Sequence, residues 1–457
     1  MLRTVLAATV GAAVLVGSGA ASAASYIVVG ATGADLDKAV KAAGGAVTNR
    51  LSVIDTVVAD SSDASFKARL TKQAGVQAVV PNVQVRMIDP VAQQALSVDD
   101  VNAEVVNPPN NDGTYDTEYP LLWGLDSVNA PEAWAGGATG AGVRVAVLDG
   151  GFNMNHPDLA PNINYALSED MTGEGIAYGP NADDPTGVFS HGTHVAGTIA
   201  AKRNGIGVIG VAPDAELVLV KVLFNFGSGY FEDIFEGIIY AANVDADVIN
   251  MSLGVDIPQG VGIGSNEIAA LRAVMGRAIS YAYQRGATVV VAAGNDGRNL
   301  DKDQSVTLFP GQLTNAIAIS ATAPIGWAVD PSNTFLDNLA SYSNYGRSVI
   351  GFAAPGGDVA YPGNEDCVIG GVVQPCWVFD LVFSTGGEVD SNSYYYWSGG
   401  TSMAAPHASG IAALIIGENG GSMHPAQVRA EMAARADDLG RPGRDPAYGG
   451  GRLSSGY

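Results

Sequence analysis

The reactive chemistry of this sequence centres on a serine set among small residues. Ser402 lies in Gly399-Gly400-Thr401-Ser402-Met403-Ala404-Ala405-Pro406-His407, and an apolar run through Ile416 follows it. That run reads as a buried helix, so the hydroxyl sits near unpaired backbone N–H groups and the positive end of a helix dipole. Such a position suits a nucleophile whose attack builds negative charge. A serine hydroxyl is a weak nucleophile at neutral pH and needs a base beside it, itself held by a third group. Two upstream segments offer these partners. His191 opens His191-Gly192-Thr193-His194-Val195-Ala196-Gly197, and Asp149 closes Val145-Ala146-Val147-Leu148-Asp149 ahead of Gly150-Gly151. Each feature alone is ordinary, since serines in glycine-rich turns and acids at strand ends are usually caps. His191 and His194 could suggest a metal, yet no third ligand stands in the motif, so zinc is not indicated.

Together, VAVLDGG, HGTHVAG and GTSMAAPH, in the order Asp, His, Ser, resemble the motifs of the subtilisin-like serine proteases. Position 404 is Ala, which separates the serine segment from the lipase-type G-x-S-x-G turn, and Gly150 stands where the family usually has Thr or Ser. The resemblance implies a serine endopeptidase that cuts peptide bonds through an acyl-enzyme. Ser402 would be the nucleophile, His191 the general base and acid, and Asp149 the group that fixes the imidazole. Asn295, in Ala292-Ala293-Gly294-Asn295, would donate to the oxyanion beside the Ser402 N–H. Substrate would lie as an added strand along Ser252, Leu253 and Gly254, with Gly227 and Gly229 as the opposite wall. Ala292, Ala293 and Gly294 would floor the primary pocket, its far wall lying within 298–309. No cofactor is expected for catalysis. A structural calcium is expected at Asp158 and Asn204, with Asp112 completing the site. A catalytically inactive binding protein on the same scaffold, or an esterase, are the alternatives.

Short apolar, β-branched runs at 143–148, 217–223, 248–253, 288–293, 316–320 and 349–353 alternate with helical stretches at 194–203, 231–243, 268–285, 402–416 and 425–436. This is the signature of an α/β domain, a mostly parallel twisted sheet with helices on both faces, assigned to residues 119–457. Ahead of it, 24–90 reads as a small α+β unit in β-α-β-β-α-β order, ferredoxin-like, which resembles the family's inhibitor-type propeptide. Residues 91–118, rich in Pro, Asn and Asp, read as a linker carrying the maturation cut. Residues 1–23 read as a secretory signal, with Arg3, an apolar core and Ala21-Ser22-Ala23. The expected product is thus secreted and extracellular, and made as a self-inhibited precursor. Export also makes the two cysteines, Cys367 and Cys376, a disulfide pair, with free thiols as the alternative. A net charge of −23 argues against nucleic acid and anionic membranes as partners. The expected partners are protein or peptide substrates and the chain's own propeptide, with the enzyme a monomer.

Overall fold

The computed structural model describes residues 23–88, 92–97, 119–180, 189–258, 264–303, 305–389 and 392–456. The expected signal, apart from Ala23, lies outside the described residues, as do Asp112 and most of the expected linker.

Among the described residues, the main sheet has eight strands. Its centre runs Ala316–Ala323, Thr288–Ala292, Val248–Met251, Arg144–Asp149 and Glu216–Lys221, neighbour beside neighbour and all parallel. Ile350–Pro355 adds to Ala316–Ala323 in parallel, and the short Asn338–Leu339 is antiparallel to it. These strands are buried on both faces, which is why they read as continuous apolar runs rather than alternating ones. The helices Phe231–Asn243 and Ser265–Gln284 cover one face. Helices His191–Ala200 and Thr401–Glu418 cover the other. The first of these begins three residues ahead of the expected start, because Ser190 caps it by accepting from the Thr193 N–H. Parallel strands bring their carboxyl ends to one edge of the sheet, where sites form. Asp149, Ser252 and Gly294 all sit at or just past such ends.

Residues 24–81 form a separate four-stranded antiparallel sheet. Its order is Ala46–Leu51, Thr56–Ser61, Ala24–Gly30 and Val76–Pro81, with helices Leu36–Ala43 and Phe66–Leu70. The first helix is punctuated locally: Asp35 accepts from the Lys38 N–H, and Gly44, at φ 87°, ends it. One face of this sheet is shared with the large domain. Ile27, Val29, Leu51, Ile54 and Val80 enter the same apolar cluster as Phe231, Phe235, Leu271 and Met275. Polar contacts frame that seam. Arg277 donates to the carbonyls of Gly30 and Ile54 at 3.2 and 3.0 Å, Asn49 donates to Glu236 at 2.7 Å, and Lys67 pairs with Glu267.

Within the expected linker, Ala92–Ser97 is a strand rather than irregular chain. It pairs antiparallel with Asn392–Gly399, which also pairs with Val382–Val389. Cys367 and Cys376 form a disulfide with Cα atoms 4.8 Å apart, beside a hairpin of Asp366–Ile369 and Val372–Pro375. Among the described residues, no helix is long and apolar enough to cross a membrane.

Candidate active site

Asp149 ends its strand fully buried, and its carboxylate faces the first residue of the helix His191–Ala200. His191 Nδ1 lies 2.8 and 3.0 Å from the two carboxylate oxygens. The Gly150 N–H donates to the same carboxylate at 2.7 Å, so backbone serves this acid directly at the position where the family usually carries a hydroxyl. With Nδ1 donating to the acid, Nε2 is the lone-pair nitrogen. It is buried and has no hydrogen-bond partner among the described residues. Phe189 lies edge-on to the ring at 6.2 Å, shielding it from solvent.

Ser402 is the second residue of the helix Thr401–Glu418, whose residues are buried through Ile416. Its hydroxyl donates to the Ser252 carbonyl at 3.1 Å. The row of three groups expected from the sequence is therefore made at the Asp149–His191 joint and not at the His191–Ser402 joint. Around the serine the chain is held firmly. Pro406 has no N–H to donate to the carbonyl four residues back, which leaves Ser402 O free of its helical partner. Ser252 Oγ takes that place, donating to Ser402 O at 2.8 Å. Asn250 donates to Ser252 Oγ at 3.0 Å and accepts from Ser409 at 2.9 Å. The end of one strand is thus fastened to two turns of the serine helix.

Asn295 follows Gly294, whose φ of 89° is a conformation that favours glycine. The Asn295 amide oxygen accepts from both the N–H and the hydroxyl of Thr401, at 2.9 and 2.8 Å. This settles which way the amide faces. A Cβ built on Gly400 would lie 3.4 Å from Asn295 Nδ2 and 3.6 Å from the Ser402 nitrogen. The two donors thus converge beside one glycine, where a side chain would crowd the space between them. Thr401 was not singled out by the sequence, although its adjacency to the serine was visible.

The expected substrate walls already hold a peptide, and it is this chain's own. Gln84–Arg86 pairs antiparallel with Ser228–Tyr230, Gly229 lying opposite Val85. The Met87 and Ile88 N–H groups both donate to Gly227 O, at 2.9 and 3.2 Å, and Gly254 N donates to Met87 O at 3.0 Å. The stretch 84–88 thus runs between Gly227–Gly229 and Ser252-Leu253-Gly254. Within 298–309, the stretch expected to wall the primary pocket opposite Ala292-Ala293-Gly294, Leu308 is 2% exposed and packs beside that floor. Its Cδ1 lies 3.5 Å from a Cβ position on Gly294 and 3.8 Å from one on Gly254.

His194, one turn beyond His191, is not part of this arrangement. Its Nε2 bridges the carbonyls of Val382 and Tyr396 at 3.1 and 2.9 Å. Burial lowers its pKa to about 3, so it is a neutral donor that ties the histidine helix to the hairpin. His407, also buried and lowered to about 4, donates to Met403 O within the serine helix.

The expected calcium ligands meet as hydrogen-bonding partners. Asp158 accepts from Val208 N at 2.9 Å, from the Tyr395 hydroxyl at 2.9 Å and from Asn204 Nδ2 at 3.3 Å. Asn204 Oδ1 accepts from its own loop, at Ile206 N. Three donors converge on that carboxylate where calcium would need a ring of oxygens. Among the described residues, no three His, Cys, Asp or Glu side chains gather in a way that could hold a metal ion. As they stand, these residues do not fit calcium.

The model of the subtilase family matches residues 140–451, a span that contains Asp149, His191, Asn295 and Ser402. M-protease of Shouchella clausii (strain KSM-K16) is 36% identical over 373 residues, 80% of this chain and 78% of its own. Subtilisin Savinase of Lederbergia lenta is 37% identical over 335 residues, 73% of this chain and 96% of its own. The crystal structure of the epidermin leader peptide processing serine protease of Staphylococcus aureus has a TM-score of 0.71, covering 95% of this chain and 97% of its own. Its 21% identity bears on the fold alone. Since the family match runs unbroken from the buried acid to the serine helix, the chain belongs to the subtilase family and is a serine-type endopeptidase acting on protein or peptide substrates.

Proposed function

We propose that Asp149, His191 and Ser402 are the catalytic residues, and that the chain is a secreted enzyme made as a precursor inhibited by its own residues 24–90. The observation that carries the catalytic reading is the imidazole anchored to a buried carboxylate with its second nitrogen left unpartnered. In the reaction the Ser402 hydroxyl leaves Ser252 O and turns to that nitrogen. His191 Nε2 then takes the hydroxyl proton as Oγ attacks the substrate carbonyl, and returns it to the departing amine. Asp149 holds the ring with Nδ1–H inward and stabilises the imidazolium. Negative charge develops on the carbonyl oxygen, where Asn295 Nδ2 and the Ser402 N–H receive it. Water repeats the sequence on the acyl-enzyme.

The inhibition reading rests on 84–88, which fills the two-walled groove as an added strand while 24–81 clamps onto the helices behind it. A peptide so held competes with substrate by occupying the same backbone partners. Export rests on the basic, apolar and small-residue order of 1–23. The test is expression of Ser402→Ala beside the parent. The parent is expected to lose its N-terminal segment and to react with a serine-directed organophosphonate, whereas the variant stays full length and unlabelled. Normal trimming of the purified variant would show that the cut is not self-made. A parent that hydrolyses small esters but leaves unfolded casein intact would favour the esterase.

A further inference from the structure

The chain approaches Ser402 from both sides as a strand. On one side, 84–88 occupies the groove between Gly227–Gly229 and Gly254. On the other, Ala92–Ser97 pairs with Asn392–Gly399 over six consecutive positions, from Ala92 opposite Gly399 to Ser97 opposite Tyr394. Gly399 is three residues ahead of Ser402, so this second pairing starts beside the nucleophile and leads away from it. We propose that the Asn392–Gly399 edge is a docking strand for the leaving-group side of the substrate, engaging about six residues beyond the scissile bond by antiparallel pairing. The proposal rests on the protease reading above and adds to it a second half of the binding site, unassigned from sequence.

Three observations support it. The opposite edge of Asn392–Gly399 is already used by Val382–Val389, so a peptide has one edge to join, and the chain's own segment has joined it. The strand is held rigid from behind. Trp397 is fully buried, its ring 4.3 Å from Phe383 and 5.9 Å from Phe379, and the Tyr395 hydroxyl is fixed on Asp158. His194 Nε2 contacts Tyr396 O and Val382 O, locking the hairpin to the helix that carries His191. A rigid edge so close to the nucleophile orders a peptide without first being ordered itself. Because the pairing uses backbone groups, it selects for an extended, unfolded segment of sufficient length rather than for particular side chains. The edge therefore favours internal cleavage of long chains over release of one or two residues from a carboxyl end.

The test uses the mature enzyme and a peptide series that is constant before the cut and carries one to eight residues after it. Expected is a rise in kcat/KM of about tenfold or more between two and six residues, then a plateau, as successive backbone hydrogen bonds are added. In the six-residue peptide, N-methylation at one set of alternate positions should remove the gain and at the other set should not, because only every second N–H of a strand faces its partner. A rate that does not change beyond two residues, or an equal response to both N-methyl sets, would overturn the docking strand while leaving the protease reading intact. Failure to cut any peptide, the shortest included, would overturn both.

Discussion

Leu308 is expected to limit what the primary pocket accepts. The floor expected from sequence, Ala292, Ala293 and Gly294, brings no bulk and leaves room for a large side chain, with the far wall expected within 298–309. From that wall the isobutyl group of Leu308 reaches in, its Cδ1 within 4 Å of the Cβ positions on Gly294 and Gly254. Side chains longer than Ala, placed at the residue before the cut, meet this group. Forcing extra carbon into a filled apolar space costs about 1–3 kcal/mol, or roughly 5- to 150-fold in kcat/KM. Leu308→Gly removes the obstruction, and a newly buried phenyl ring gains up to about 3 kcal/mol more. The parent is therefore expected to cut after Ala in preference to Phe. In the variant the Phe-to-Ala ratio should rise by at least about tenfold. The assay is kcat/KM on two p-nitroanilide peptides that differ at that one residue. Leu308→Ala provides an intermediate step, and thermal unfolding of both variants guards against collapse, because losing a buried leucine can cost about 2–5 kcal/mol. If both variants stay folded and the ratio moves less than twofold, Leu308 does not limit the pocket and the reasoning fails.

Two further outcomes follow from the same geometry. Asn295→Ala removes one of two converging donors, so kcat should fall by about 10²–10³, the cost found in subtilisin, with little change in KM; a loss confined to KM would place Asn295 in binding instead. The folded precursor should lose stability as pH rises. Asp233, on the helix Phe231–Asn243, is raised to about 7, first by burial and then by Glu232, with Glu236 and Asp170 adding repulsion. Glu232 beside it is raised as well, again mainly by burial. A carboxyl with a raised folded-state pKa favours the folded form while protonated. That stability is present in full below about 4 and is lost as pH climbs to about 7, above which it changes no further. Thermal midpoints of the Ser402→Ala precursor between pH 5 and 8 should fall, and Asp233→Asn should flatten the slope; a midpoint that climbs over this range in the precursor would contradict the assignment.

The reach of the sequence was set by how far apart the interacting residues lie. Strands buried on both faces announce themselves as β-branched runs, so the parallel sheet and its helices were legible almost element by element. Three segments, each with a local reason to expose its polar residue at a strand end or helix start, pointed to the same edge of that sheet. What escaped depends on contacts that no local pattern encodes. The stretch 298–309 was expected to wall the pocket, but that Leu308 is the residue lying near both Gly294 and Gly254 depends on the fold. Tyr395 looks like loop aromatic packing, yet its hydroxyl lands on Asp158, an expected calcium ligand, from 237 positions away. Ala92–Ser97 is too short and too polar to read as a strand alone, with Gln93 and Gln94 in its first half. It becomes one because Asn392–Gly399 offers an edge beside the serine. The reactive groups were legible because each is fixed by its own neighbours in sequence, whereas the surfaces that choose and hold a substrate are made between elements, and so had to be read from the fold.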